Sequence, residues 1–96
     1  MTKNIIIDYL KQHKEEFTKK YDISKMALFG SYARGDNRAD SDIDIAIETK
    51  LADYFRLYDL KEELEKAFQT SVDIVRIREK MNKSLKRRIE KDGLYV

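Results

Sequence analysis

From Thr2 to about Tyr21, Ile6, Leu10, Phe17 and Tyr21 recur at helical spacing, with Lys11, Lys14, Glu15 and Lys19 elsewhere around the wheel. This pattern predicts an amphipathic helix. The next apolar run is short: Ser24 or Lys25 to Phe29 reads as a strand that stops at Gly30-Ser31, a pair suited to a tight turn with exposed backbone N–H groups. Ser31 to Gly35 is long enough for one helical turn, and Asp36 to Ser41 is a polar loop. Ile43, Ile45 and Ile47 then alternate with Asp42, Asp44 and Ala46, and this period of two predicts a half-buried second strand over about Ser41 to Glu48. Between Leu51 and Gln69 the helical period returns through Tyr54, Leu57, Tyr58, Leu64 and Phe68, with Glu62, Glu63, Glu65 and Lys66 mostly outward. Thr70 and Ser71 break that helix, and Val72 to Ile77 reads VDIVRI, a β-branched strand. Glu79 to Lys91 closes the pattern as a basic helix with Met81, Leu85 and Ile89 as its core stripe, ended by Asp92-Gly93. Leu94, Tyr95 and Val96 either add a short terminal strand or pack against a partner.

The strand–helix–strand order favours a right-handed crossover, which makes the second and third strands parallel. If Gly30-Ser31 and Asp42-x-Asp44 share a site, the end of strand one meets the start of strand two, and those two strands run antiparallel. The expected architecture is a single α/β domain over residues 1–96, with a small three-stranded mixed sheet packed with about four helices. Ninety-six residues suffice for one compact domain and not for two, so any second catalytic or recognition module is expected on another chain.

Composition narrows the class. The chain is 42% hydrophobic and 40% charged with three glycines and no proline, a folded, helix-rich balance. The absence of cysteine excludes disulfides and thiolate metal sites. Neither a signal sequence nor an apolar run near eighteen residues occurs, so a cytoplasmic protein without membrane contact is expected. The net charge of +2 hides an uneven distribution. Asp36 to Glu65 holds ten acidic and four basic residues, whereas Arg76 to Lys91 holds eight basic and two acidic. A negative middle suits a metal site; a positive C-terminal helix is either a solvated face or one that meets phosphates, RNA or an acidic partner.

The candidate chemistry lies between Ala27 and Glu48. Asp42 and Asp44 leave the same strand face about 7 Å apart at the backbone, close enough to converge on one divalent cation. The Gly30-Ser31 turn can hold a phosphate. Asp73 sits within an apolar strand, where an unpaired buried acid costs several kcal/mol, so it must lie at a strand end, meet a cation or bind metal. The parallel crossover brings it beside Asp44. Arg34 and Arg38 either neutralise phosphate charge or form surface ion pairs. His13, beside the apolar stripe of the first helix and with no second histidine in the chain, is assigned a structural role.

Taken as one stretch, these residues resemble the minimal nucleotidyltransferase domains of the polymerase-beta-type nucleotidyltransferase superfamily. Gly30, Ser31, Ala33, Arg34, Gly35, Arg38, Asp40, Ser41, Asp42 and Asp44 fall where those domains carry GSxARGxxRxDSDxD, and element order matches along nearly the whole chain. Ala39 departs from the pattern, since these domains often place a proline there. The resemblance implies two Mg2+ ions bridged by Asp42 and Asp44, with Asp73 as the third carboxylate, serving as ligand or proton acceptor. It also implies that Gly30 and Ser31 hold the outer phosphates of ATP, with Arg34 as a further phosphate contact, and that pyrophosphate leaves. Free-standing domains of this kind are similar to the antitoxin halves of HEPN/MNT toxin–antitoxin modules, which transfer AMP from ATP to a tyrosine of a HEPN ribonuclease toxin. Two alternatives stand beside this: adenylylation of a small hydroxylated molecule, and a non-catalytic antitoxin that occludes its toxin. Direct nucleic-acid binding is disfavoured.

Overall fold

The computed structural model describes residues 1–50 and 53–96. Element order is α1 (Lys3–Tyr21), β1 (Ile23–Phe29), α2 (Ser31–Arg34), β2 (Ile43–Thr49), α3 (Tyr54–Phe68), β3 (Val72–Arg76), α4 (Lys83–Asp92) and β4 (Leu94–Tyr95). The sheet order is β3-β2-β1-β4. β1 and β2 are antiparallel and β2 and β3 parallel, as the sequence predicts.

Three expectations on the elements change. The sheet has four strands rather than three, because the tail beyond Gly93 turns back onto β1, pairing Ala27 with Tyr95 and Leu28 with Leu94. The Val96 N–H donates to the Met26 carbonyl at 3.0 Å, and Lys14 Nζ donates to the Val96 carbonyl at 2.6 Å. Secondly, the last helix starts at Lys83 rather than Glu79, because the Asn82 side chain accepts from the Leu85 N–H and caps it there. Met81 therefore precedes the helix, although it still packs with Leu85 against Ile89. Thirdly, the buried stripe of α3 is Leu57, Leu60, Leu64 and Phe68, whereas Tyr54 and Tyr58 are exposed. The Asp53 side chain accepts from the Phe55 and Arg56 N–H groups and so sets the start of this helix. The expected start near Leu51 lies outside the described residues.

Alternation along the strands sorts the core into two layers. Met26, Leu28, Ile43, Ile45, Ile47 and Val72 face α1 and α3, against Ile6, Leu10, Phe17, Leu60 and Leu64. Ala27, Phe29 and Ala46 face the other way, against Ile89 of α4. Since side chains alternate with period two, Asp42, Asp44 and Asp73 all leave on this second, α4-bearing face. His13 is stacked on Tyr9 at 4.0 Å, with Nδ1 2.9 Å from the Tyr9 carbonyl, which suits the structural role expected of it. Among the described residues no helix is long and apolar enough to cross a membrane.

Candidate functional site

The site forms where three strands end or begin together. Phe29, the last residue of β1, is paired with Asp44 of β2, and Asp44 is paired in parallel register with Asp73 of β3. Asp42 lies two residues before Asp44 on the same face. The strand-end alignment and the parallel crossover thus bring Gly30, Asp44 and Asp73 to one place.

Gly30 is buried and caps α2 with φ 77° and ψ −155°, a conformation essentially confined to glycine. A Cβ built there would collide with Asp44 Oδ2. Glycine is therefore required twice over: by the backbone angle, and by the carboxylate packed against its Cα. Ser31 is the first residue of α2, a single helical turn, and the N–H groups of a first turn have no intrahelical partner. Tyr32 and Ala33 bury their side chains in the core and hold this turn against the sheet.

Asp44 is half-buried, whereas Asp42 and Asp73 are exposed. Burial pushes the Asp44 carboxyl above its usual range; the Asp73 carboxylate adds to this, Arg88 opposes it, Asp42 raises it further and Arg34 lowers it. The cluster repels itself. Among the described residues no three His, Cys, Asp or Glu side chains converge tightly enough to hold an ion unaided. Magnesium commonly takes only one or two protein carboxylates and completes its shell with water and phosphate oxygens. An oxygen-only donor set of this kind, charge-strained and half open, fits that ion together with a polyphosphate.

Arg34 is held. Its Nε donates to Asp36 Oδ2 at 3.1 Å and its Nη1 to Asp92 Oδ2 at 2.7 Å, tying α2 to the end of α4. Of the two roles the sequence allows it, the ion pair is the one present in this structure. Arg38 lies exposed in the loop before β2, where its backbone N–H donates to Ser41 Oγ at 2.8 Å and its carbonyl accepts from the Ser41 N–H at 3.1 Å. Ser41 thus closes the turn that delivers Asp42.

The sequence pattern does not single out Arg88 within the basic C-terminal helix. It is exposed, yet its positive charge is the largest cationic influence on Asp44, and among the described residues it makes no ion pair. The available signal was its place in α4: Arg88 follows Leu85 by three and precedes Ile89 by one, so it borders the stripe that meets the sheet.

Comparison with known proteins points the same way. A family model described as polymerase beta, nucleotidyltransferase matches residues 6–96. A Methanocaldococcus jannaschii chain, provisionally named a protein adenylyltransferase, is 40% identical over 94 residues, covering 95% of this chain and 94% of that one. The protein adenylyltransferase MntA of Thermococcus cleftensis is 33% identical over 95 residues, covering 98% of this chain and 91% of its own length. A crystal structure described as a toxin–antitoxin with AMP-PNP contains a chain 27% identical to this one, with a TM-score of 0.72 over 99% of this chain and 72% of that chain.

Proposed function

The chain belongs to the polymerase beta nucleotidyltransferase family, and from that membership we propose that it transfers AMP from ATP to a hydroxyl of a partner protein. The proposed acceptor is a tyrosine of a HEPN-type ribonuclease toxin, which makes the chain an antitoxin; the proposed setting is the cytoplasm. The observation that carries this is the register: Asp44 is paired with Asp73 on one side and lies at the end of β1 on the other, with its carboxylate against Gly30. Relatives named as protein adenylyltransferases support the acceptor class, and the toxin–antitoxin structure with AMP-PNP supports the nucleotide and a toxin as the partner.

In the proposed reaction the acceptor oxygen attacks the α-phosphorus of ATP. A P–O bond forms to that oxygen, the bond from the α-phosphorus to the α,β-bridging oxygen breaks, and pyrophosphate departs. The Gly30-Ser31 turn receives the outer phosphates, since only a residue without Cβ leaves the backbone open beside Asp44. Asp42 and Asp44 would hold Mg2+, which when bound supplies charge neutralisation for the carboxylates and the phosphates. Asp73, exposed on the far side of Asp44, takes the acceptor proton or orients the hydroxyl. Arg88 adds positive charge on the α4 side of the same cluster.

ATP labelled on either the α- or the γ-phosphate separates this reaction from phosphoryl transfer. Label from the α position should appear on the partner protein and label from the γ position only in pyrophosphate. The reverse distribution would overturn the assignment.

A further inference from the structure

An open groove of about 520 Å³ runs along β3, beginning at Asp73 on the side away from Gly30. Its floor is β3 from Asp73 to Arg76. One wall is the first half of α3, with Tyr54, Tyr58 and Lys61, and the other is the segment from Arg78 into the start of α4. Because β3 is an outer strand, the outward backbone groups of Ile74 and Arg76 are open to an added extended chain, whereas the outward N–H of Val72 already donates to Glu65 Oε2 at 3.0 Å. From Asp73 to Arg76 the strand offers about 13 Å of ladder.

The walls describe the occupant. Tyr54 and Tyr58, which line the groove, are 70% and 57% exposed, so aromatic surface flanks it. Lys61, Arg76 and Arg78 set three positive charges against one carboxylate, Asp73, which stands at the end nearest the site. None of the three cations has a carboxylate partner among the described residues, and Arg76 Nε donates instead to the Thr49 carbonyl at 3.2 Å. In-line displacement requires the attacking and leaving oxygens to lie on opposite sides of phosphorus. With pyrophosphate departing toward Gly30 and Ser31 at the end of β1, the attacking oxygen must arrive from beyond β2, which is the β3 side.

Resting on the adenylyl-transfer function above, we propose that this groove docks the acceptor: an extended, acidic segment of the partner protein laid along β3, with its tyrosine hydroxyl delivered at Asp73. Aromatic surface on α3 packs against the segment, and Lys61 and Arg78 meet its carboxylates.

The test uses fluorescein-labelled peptides with a central tyrosine flanked by glutamates or, as counterpart, by lysines, titrated into the full chain without nucleotide and followed by anisotropy. The glutamate-flanked peptide should bind more tightly, weaken as salt is raised, and lose about tenfold in affinity in Lys61→Glu/Arg78→Glu. Tyr58→Ala should weaken it as well, and both variants should keep the wild-type circular dichroism and the wild-type KM for ATP. Equal affinity for the lysine-flanked peptide, or unchanged affinity in the charge-reversed variant, would overturn the proposal. A raised KM for ATP with unchanged peptide affinity would also overturn it, since the groove would then be the nucleotide-base site. Groove-dependent binding without AMP transfer to the peptide or to the partner would instead overturn the function and leave the groove's occupant as inferred.

Discussion

Asp44 is held in a position that a metal-free protein pays for. Burial and the Asp73 carboxylate raise its pKa, so in the absence of a cation its ionisation costs stability as pH rises through the folded value; below the ordinary carboxylate range that cost vanishes. Metal-free Asp44→Asn should therefore unfold at the same temperature as the parent or a higher one at neutral pH, with the difference disappearing in acid, as thermal melts across pH would record. Transfer should fall on the order of a hundredfold or more, since a carboxylate proposed to hold Mg2+ is gone. Gly30 answers differently. Any side chain there meets both φ 77° and the Asp44 carboxylate, so Gly30→Ala should cost about 1–3 kcal/mol in urea denaturation as well as activity. Loss of activity in a Gly30 variant is consequently not a clean report on phosphate binding. Ser31→Ala is the better probe: it should raise the KM for ATP several-fold with little change in stability, and an unchanged KM would put the phosphates elsewhere. The glycine requirement was legible as a turn, but the packing of a β2 carboxylate against its Cα depends on a strand register that local pattern does not contain.

At the level of elements, the Arg34–Asp92 pair fastens α2, which carries Ser31, to the end of α4, which carries Arg88. The Asp92 side chain is only 7% exposed, so Arg34→Ala leaves a nearly buried carboxylate without its partner. The denaturation midpoint should fall in Arg34→Ala and recover in part in Arg34→Ala/Asp92→Asn; a variant with undiminished stability but a raised KM for ATP would make Arg34 a phosphate ligand after all. In α3 the sequence pattern named Tyr54 and Tyr58 for the core and passed over Leu60. Leu60→Ala should cost about 2–5 kcal/mol and Tyr58→Ala no more than about 0.5 kcal/mol, measured by urea titration. Tyrosine satisfies a helical period as well as leucine does, and only the width of the sheet beneath decides which of them is covered. The antiparallel and parallel pairings, by contrast, followed from strand order and a shared site, because a right-handed crossover leaves few alternatives. The fourth strand was left open, since two residues are too few for a periodic signal.

Across the whole molecule, charge and sheet order point in one direction. Asp42, Asp44 and Asp73 gather at the strand ends, α4 with its basic residues packs through Ile89 on the same sheet face, and β3 with its aromatic flank stands open beside Asp73. In the proposed reaction that order gives a donor side over β1 and an acceptor side over β3. The sequence could name the carboxylates and the turn but not the groove, which exists only once α3 and the start of α4 stand on either side of β3. The most direct measurement is the intact mass of both chains after incubation of this protein with ATP, magnesium and a HEPN-type ribonuclease chain, the proposed partner, run in parallel with Asp73→Asn. The partner's mass should rise by one or more AMP residues with the parent and stay unchanged with Asp73→Asn, although the two chains still associate. A partner that is silenced by the parent without any gain in mass would contradict transfer and leave occlusion as the mechanism.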